Sequence, residues 1–96
     1  MRYSEKLIEK KLREQIKKMG GMALKLESQH FTGLPDRMVL IPEGRIYFVE
    51  TKSTGDKPRK RQLLVHRLLR GLGFSVDVID DMKGLERFYE KITKQG

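Results

Sequence analysis

The strongest constraint on this chain lies between residues 46 and 78. Ile46, Tyr47, Phe48 and Val49 are β-branched or aromatic on both faces, and Phe74, Val76 and Val78 alternate with more polar positions, so both segments read as strands. Between them Leu64, Val65, Leu68, Leu69 and Leu72 recur at helical spacing. Pro58 fits the first turn of that helix, which runs from about Arg59 to Leu72, and Gly73 ends it. A strand, a helical crossover and a second strand imply a parallel pair with a right-handed connection. The first of these strands, apolar on both faces, is expected to be central in its sheet.

The remaining elements follow from periodicity. Ile8, Leu12, Ile16 and Met19 form a helical stripe from Ser4, which can cap the start, to the stop at Gly20 and Gly21. Met22, Leu24 and Leu26 then alternate as a strand buried mainly on one face. Residues 28–35 form a loop, and a second strand begins near Asp36 with Met38, Val39, Leu40 and Ile41. Residues 42–45 are a tight turn that makes this strand an antiparallel neighbour of the next. Asp80 or Asp81 caps a last helix carrying Leu85, Phe88, Tyr89 and Ile92. The order is α-β-β-β-α-β-α, an α/β fold with a mixed four-stranded sheet flanked by helices. With 96 residues, one domain spanning 1–96 is expected, since two would leave neither a core.

Composition narrows the function. Lys and Arg number 21 against 13 Asp and Glu, 21 − 13 = +8, with a pI near 9.9, which points to a polyanionic partner. Cys is absent and there are two His, which excludes disulfide frameworks and thiolate zinc sites. No apolar run approaches the ~20 residues of a membrane span. Residues 1–6 are too charged for a signal peptide, so a cytoplasmic protein is expected.

Chemistry concentrates at one end of the sheet. Asp36 stands at the entrance to the second strand, and Glu50 and Lys52 at the exit of the third. Strand alternation points Glu50 and Lys52 to the same face, and antiparallel pairing brings Asp36 beside Glu50. Two carboxylates held together repel unless a divalent cation lies between them, and Mg²⁺ suits a site with few carboxylates and several waters. An acidic residue, any residue, then Lys also occurs at Glu9 to Lys11 and Asp81 to Lys83, so the spacing by itself equally fits a surface ion pair worth ~0–1 kcal/mol. Glu9 borders the apolar stripe of the first helix and is favoured over Glu5, whose place in the first turn the helix dipole explains. Gln62 borders the stripe of the second helix. His30, in a loop, and His66, mid-helix, read as structural or partner-facing residues.

Three segments taken together, Gly33-Leu34-Pro35-Asp36-Arg37, Phe48-Val49-Glu50-Thr51-Lys52 and Lys57-Pro58-Arg59-Lys60-Arg61-Gln62, resemble the virus-type replication-repair nuclease (VRR-NUC) domain of the PD-(D/E)xK superfamily. Ile8-Glu9 in the first helix, the Gly20-Gly21 break, Lys25 and Gly71-Leu72-Gly73-Phe74 match in the same order, so the resemblance covers nearly the whole chain. It implies the restriction-endonuclease-like PD-(D/E)xK core and a phosphodiesterase dependent on Mg²⁺ or Mn²⁺. Glu9, Asp36, Glu50 and the carbonyl of Thr51 would surround the metal, Lys52 would position the water, and Gln62 would stand beside them. Thr51 is more polar than the aliphatic residue common there.

Lys57, Arg59, Lys60 and Arg61 concentrate charge at the start of the second helix, where phosphate contacts are expected, and Lys25 joins them by resemblance. No aromatic-rich basic stretch argues for base stacking. The expected activity is endonucleolytic cleavage of branched or duplex DNA, four-way junctions included, in replication, repair or recombination. The stand-alone, phage-type members suggest a homodimer working beside phage replication or repair proteins. Leu63 falls outside the apolar stripe and is expected to be exposed in a monomer. The alternatives are a non-catalytic DNA-binding module with the same fold and a small protein-interaction domain.

Overall fold

A computed structural model describes residues 1–94. Helix α1 (Glu5–Lys18) leads into strands β1 (Met22–Lys25), β2 (Arg37–Ile41) and β3 (Arg45–Thr51), then helix α2 (Lys60–Gly71), strand β4 (Ser75–Ile79) and helix α3 (Met82–Lys94). The element order is the one periodicity dictates. The strands form one sheet in the order β1-β2-β3-β4. The first three are antiparallel, whereas β3 and β4 are parallel across the α2 crossover. β3 therefore lies inside the sheet, as its two apolar faces require. No helix among the described residues is long and apolar enough to cross a membrane.

Local chemistry sets the joints. Ser4 accepts a hydrogen bond from the Leu7 N–H and caps α1, and Asp81 accepts one from the Gly84 N–H and caps α3. Gly21 is required by close approach: a Cβ there would stand 2.3 Å from the Leu40 carbonyl, inside any tolerable contact. The glycine pair thus lets α1 fold back directly onto the sheet.

The sheet's two faces are covered unequally. On one, Val39, Ile41, Tyr47, Val49 and Ile79 meet Ile8, Leu12 and Ile16 of α1 and Leu85, Phe88 and Ile92 of α3 in a closed core. The other bears Met22, Leu24, Met38, Leu40, Ile46, Phe48, Glu50, Val76 and Val78 by strand alternation and register. Among the described helices, α2 covers it, packed against β4.

Three expectations are corrected here. The β1 side chains expected to be buried are on the open face, so Met22 is exposed while Ala23 packs against the core. Phe74, just before β4, and Val78 within it are likewise exposed, and the closed core takes Ile79. The largest difference is in α2. Leu64, Leu68 and Leu72, assigned to its buried stripe, are exposed, Leu72 by 74%, and the buried residues are Val65 and His66. At 100° per residue the helix sits roughly a quarter turn away from its apolar stripe. The cause is polar. In this orientation Gln62 donates to the buried Glu50 carboxylate, whose burial without that partner would be costly, and Val65 and His66 are buried beside it. Leu63 is exposed, as expected.

Candidate active site

The carboxylates gather at the end of the sheet where β2 begins and β3 finishes. The β2–β3 register pairs Arg37 with Val49, which sets Asp36 level with Glu50. Asp36 Oδ2 accepts hydrogen bonds from the Thr51 N–H (2.8 Å) and the Thr51 hydroxyl (3.1 Å). Thr51 is fully buried, so this two-donor grip fixes the Asp36 carboxylate. The polar residue at this position thereby acquires a use that its side-chain chemistry allows and an aliphatic residue's would not.

Glu50 is fully buried on the α2 side. Its Oε2 accepts a hydrogen bond from Gln62 Nε2 at 2.8 Å and lies 3.4 Å from Lys52 Nζ. The Gln62 amide is itself oriented, because its oxygen accepts the Arg59 N–H at the start of α2 (2.9 Å). The other carboxylate oxygen, Oε1, has no hydrogen-bond partner, and the nearest cationic candidate is His66 Nε2 at 3.7 Å. Burial, reinforced by the neighbouring Asp36 carboxylate, pushes the Glu50 carboxyl up to about 7 against the pull of Lys52. Burial, with Arg70 nearby, lowers the pKa of His66, and neither ring nitrogen has a hydrogen-bond partner.

Helix α1 contributes from the opposite face. Glu5 is raised by burial and then by Asp36, with Lys52 and the Thr51 hydroxyl opposing, which puts its carboxyl at the edge of the same cluster. Its backbone N–H donates to Ser53 Oγ at 3.1 Å, tying the helix start to the segment after β3. Glu9 is also near Glu5, but its carboxylate is engaged by the Arg37 guanidinium, whose other nitrogen donates to the Ala23 carbonyl at 3.1 Å. Glu9 thus enters the cluster as half of an ion pair and Glu5 as the less committed carboxylate.

Two residues to which the sequence analysis gives other roles lie close to this cluster: Glu5, whose place in the first turn the helix dipole explains, and His66. For His66 a signal was present: Gln62 and His66 are four residues apart, one helical turn, so both face the same partner once either does.

The donor set is suited to a hard divalent cation. Asp36 and Glu50 supply oxygen alone, and Glu50 Oε1 accepts no hydrogen bond from the protein. Two carboxylates with waters and a substrate phosphate are what Mg²⁺ commonly uses. Among the described residues, no group of three or more His, Asp or Glu is placed so as to hold a metal ion together.

The basic residues are less uniform. Arg59 and Arg61 line a cavity of about 430 Å³ together with Thr32, Gly33, Leu34, Lys52 and Gln62, so positive charge stands beside the two groups that contact Glu50. Lys57 and Lys60 are exposed and outside that lining, and Lys25 forms an exposed ion pair with Glu27 at 3.3 Å.

No family model matches the sequence. The curated protein Putative nuclease p44 of Acyrthosiphon pisum secondary endosymbiont phage 1 is 46% identical over 76 residues, 79% of this chain and 82% of that protein. A solved structure described as a VRR_NUC domain superposes with a TM-score of 0.85 at 31% identity, covering 92% of this chain and 97% of its own.

Proposed function

Because this chain belongs to the VRR-NUC nuclease family, we propose that it is a divalent-metal-dependent endonuclease acting on DNA. The observation that carries the reading is the buried Glu50, with one oxygen unpartnered, beside an Asp36 fixed by Thr51 and an ammonium 3.4 Å away. Mg²⁺ or Mn²⁺ would be held by Asp36 and Glu50, with the Thr51 carbonyl and the α1 carboxylates Glu9 and Glu5 around it, and would neutralise the phosphate and lower the pKa of a bound water. Lys52 orients the attacking water and offsets charge developing on the phosphate oxygens. Gln62 holds the Glu50 carboxylate in place. Arg59 and Arg61 grip the DNA backbone beside the cleavage point, with Lys25, Lys57 and Lys60 adding weaker phosphate contacts.

The proposed substrate is branched DNA, with four-way junctions cut by a homodimer in the cytoplasm during phage replication or repair. Support for a dimer comes from the open side of α2. Leu64, Leu68 and Leu72 lie one turn apart in a line, Phe74 follows them, and apolar surface of that extent on a small domain marks an interaction site. A second copy is the occupant favoured, since cutting two strands in concert needs two sites in fixed relation and a two-fold dimer supplies them.

Purified protein incubated with duplex, flap and four-way junction DNA is expected to cleave only when Mg²⁺ or Mn²⁺ is added, and EDTA should stop the reaction. DNA binding with no cleavage under any of these metals would overturn the enzymatic reading in favour of a binding module. Light scattering at micromolar concentration should report twice the 11.3 kDa chain mass. A monomer that does not shift on adding DNA would overturn the dimer.

A further inference from the structure

The loop between β1 and β2 carries an exposed aromatic that the cleavage chemistry leaves unused. Phe31 is 44% exposed, and the Arg61 guanidinium lies over its ring, 5.3 Å from the centroid. Arg61 is anchored there by its Nε–H, which donates to the Thr32 carbonyl at 3.2 Å. The loop is pressed onto α2: Gly33 has φ +85°, and a Cβ on it would come within 3.0 Å of Arg61 and Val65. Ser28 Oγ accepts the Phe31 N–H at 3.1 Å, which holds the loop from the other side. An aromatic fixed in this way loses little freedom when a ligand stacks on it.

Two cavities share this loop as a wall. The one containing Arg61 also contains Lys52, Arg59 and Gln62. A second, of about 330 Å³, is lined by Leu26, Glu27, Ser28 and Phe31, with Thr32, Gly33 and Leu34 common to both. Phe31 thus borders a cavity large enough for a small planar group while Arg61 borders the charged one. A polyanion lying across Arg59, Arg61 and Lys52 would bring whatever is attached to its backbone against Phe31.

Resting on the reading of the chain as a DNA nuclease, we propose that Phe31, backed by Arg61, is a stacking platform for one unpaired nucleobase adjoining the scissile phosphate. Stacking on an aromatic ring is tolerant of base identity, and the guanidinium behind the ring adds to it. A paired base is already stacked in its duplex and cannot use the platform. The site therefore selects branch points, flaps and mismatched ends by structure rather than by sequence.

The test is a binding measurement in EDTA, where no cleavage occurs. Duplex DNA and the same duplex carrying a flap with 2-aminopurine as its first unpaired base are titrated with the protein. The unpaired substrate should bind roughly tenfold tighter, with 2-aminopurine fluorescence quenched on stacking. Phe31→Ala and Phe31→Leu should both remove the preference and the quenching while leaving duplex affinity unchanged, and Phe31→Trp should retain both. Preference and quenching that survive in Phe31→Ala would overturn the platform, as would equal binding of both DNAs by the natural chain. Failure to bind either DNA would overturn the platform together with the nuclease reading.

Discussion

The two faces of the sheet are made of similar residues and put to different uses. On the α1–α3 side, Ile8, Leu12, Ile16 and Ile92 are completely buried, and apolar side chains fill the space between helices and strands. On the α2 side the same kinds of side chain are left half open, and the best-buried positions go to Glu50 and His66. The closed face therefore carries most of the hydrophobic stabilisation. The open face gives up part of its apolar burial to hold a carboxylate in a state it does not favour. A small domain can afford one such face because the other is complete.

Breaking the open face at its centre should have the largest effect. Glu50→Gln or Asp36→Asn is expected to reduce metal-dependent cleavage by about three orders of magnitude or more, while DNA affinity in a filter-binding or anisotropy assay stays nearly unchanged. Each substitution removes a proposed metal ligand and no basic surface. Cleavage by Glu50→Gln near the natural rate would move the site elsewhere.

The closed face should answer in stability instead. Ile16→Ala leaves a cavity among fully buried side chains and is expected to cost about 2–5 kcal/mol in urea unfolding. Leu68→Ala, on the exposed line of α2, should cost well under ~1 kcal/mol in the same assay at concentrations where the chain is monomeric. Equal losses at both positions would mean that the two faces are not divided in this way.

Stability against pH sharpens the contrast further. The Glu50 carboxyl is raised from 4.5 to about 7, so the folded protein holds this proton more tightly than the unfolded chain does. The corresponding stability is present below about 4.5 and is lost as the pH rises through about 7. Without metal, Glu50→Gln should accordingly be more stable than the natural chain at pH 8, by on the order of 2–3 kcal/mol, and the difference should close near pH 4.5. Mg²⁺ should stabilise the natural chain at pH 8 and do little at pH 4.5, because metal and proton compete for the same oxygens. A difference independent of pH would show that Glu50 carries no burdened charge.

The smallest effect expected concerns the supports of Glu50. Gln62→Ala and His66→Ala should each lower cleavage by about 10–100-fold, as loss of groups that orient a metal ligand does. Gln62→Ala frees an oxygen that was held at 2.8 Å, so its effect should exceed that of His66→Ala, whose contact is longer. The reverse order would make the imidazole the principal support.

Periodicity in the sequence determined the seven elements, their order, the parallel closing pair and the position of Asp36 opposite Glu50. These depend on short-range rules, the 3.6-residue and two-residue repeats and the reach of a tight turn. The same reasoning placed Lys52 and Gln62 near Glu50, because each lies a fixed distance from Glu50 or from an apolar stripe, and both contact it. What only the tertiary structure decided was which way α2 is turned, and with it the burial of His66 and the exposure of Leu64, Leu68 and Leu72. A helix with leucines on several sides has more than one apolar face to offer, and the choice was made by a carboxylate twelve residues away in sequence from its Gln62 partner. The meeting of Phe31 with Arg61, thirty positions apart along the chain, is of the same kind. Neither has a periodicity of its own, because such pairings arise only when separate elements are brought to one place.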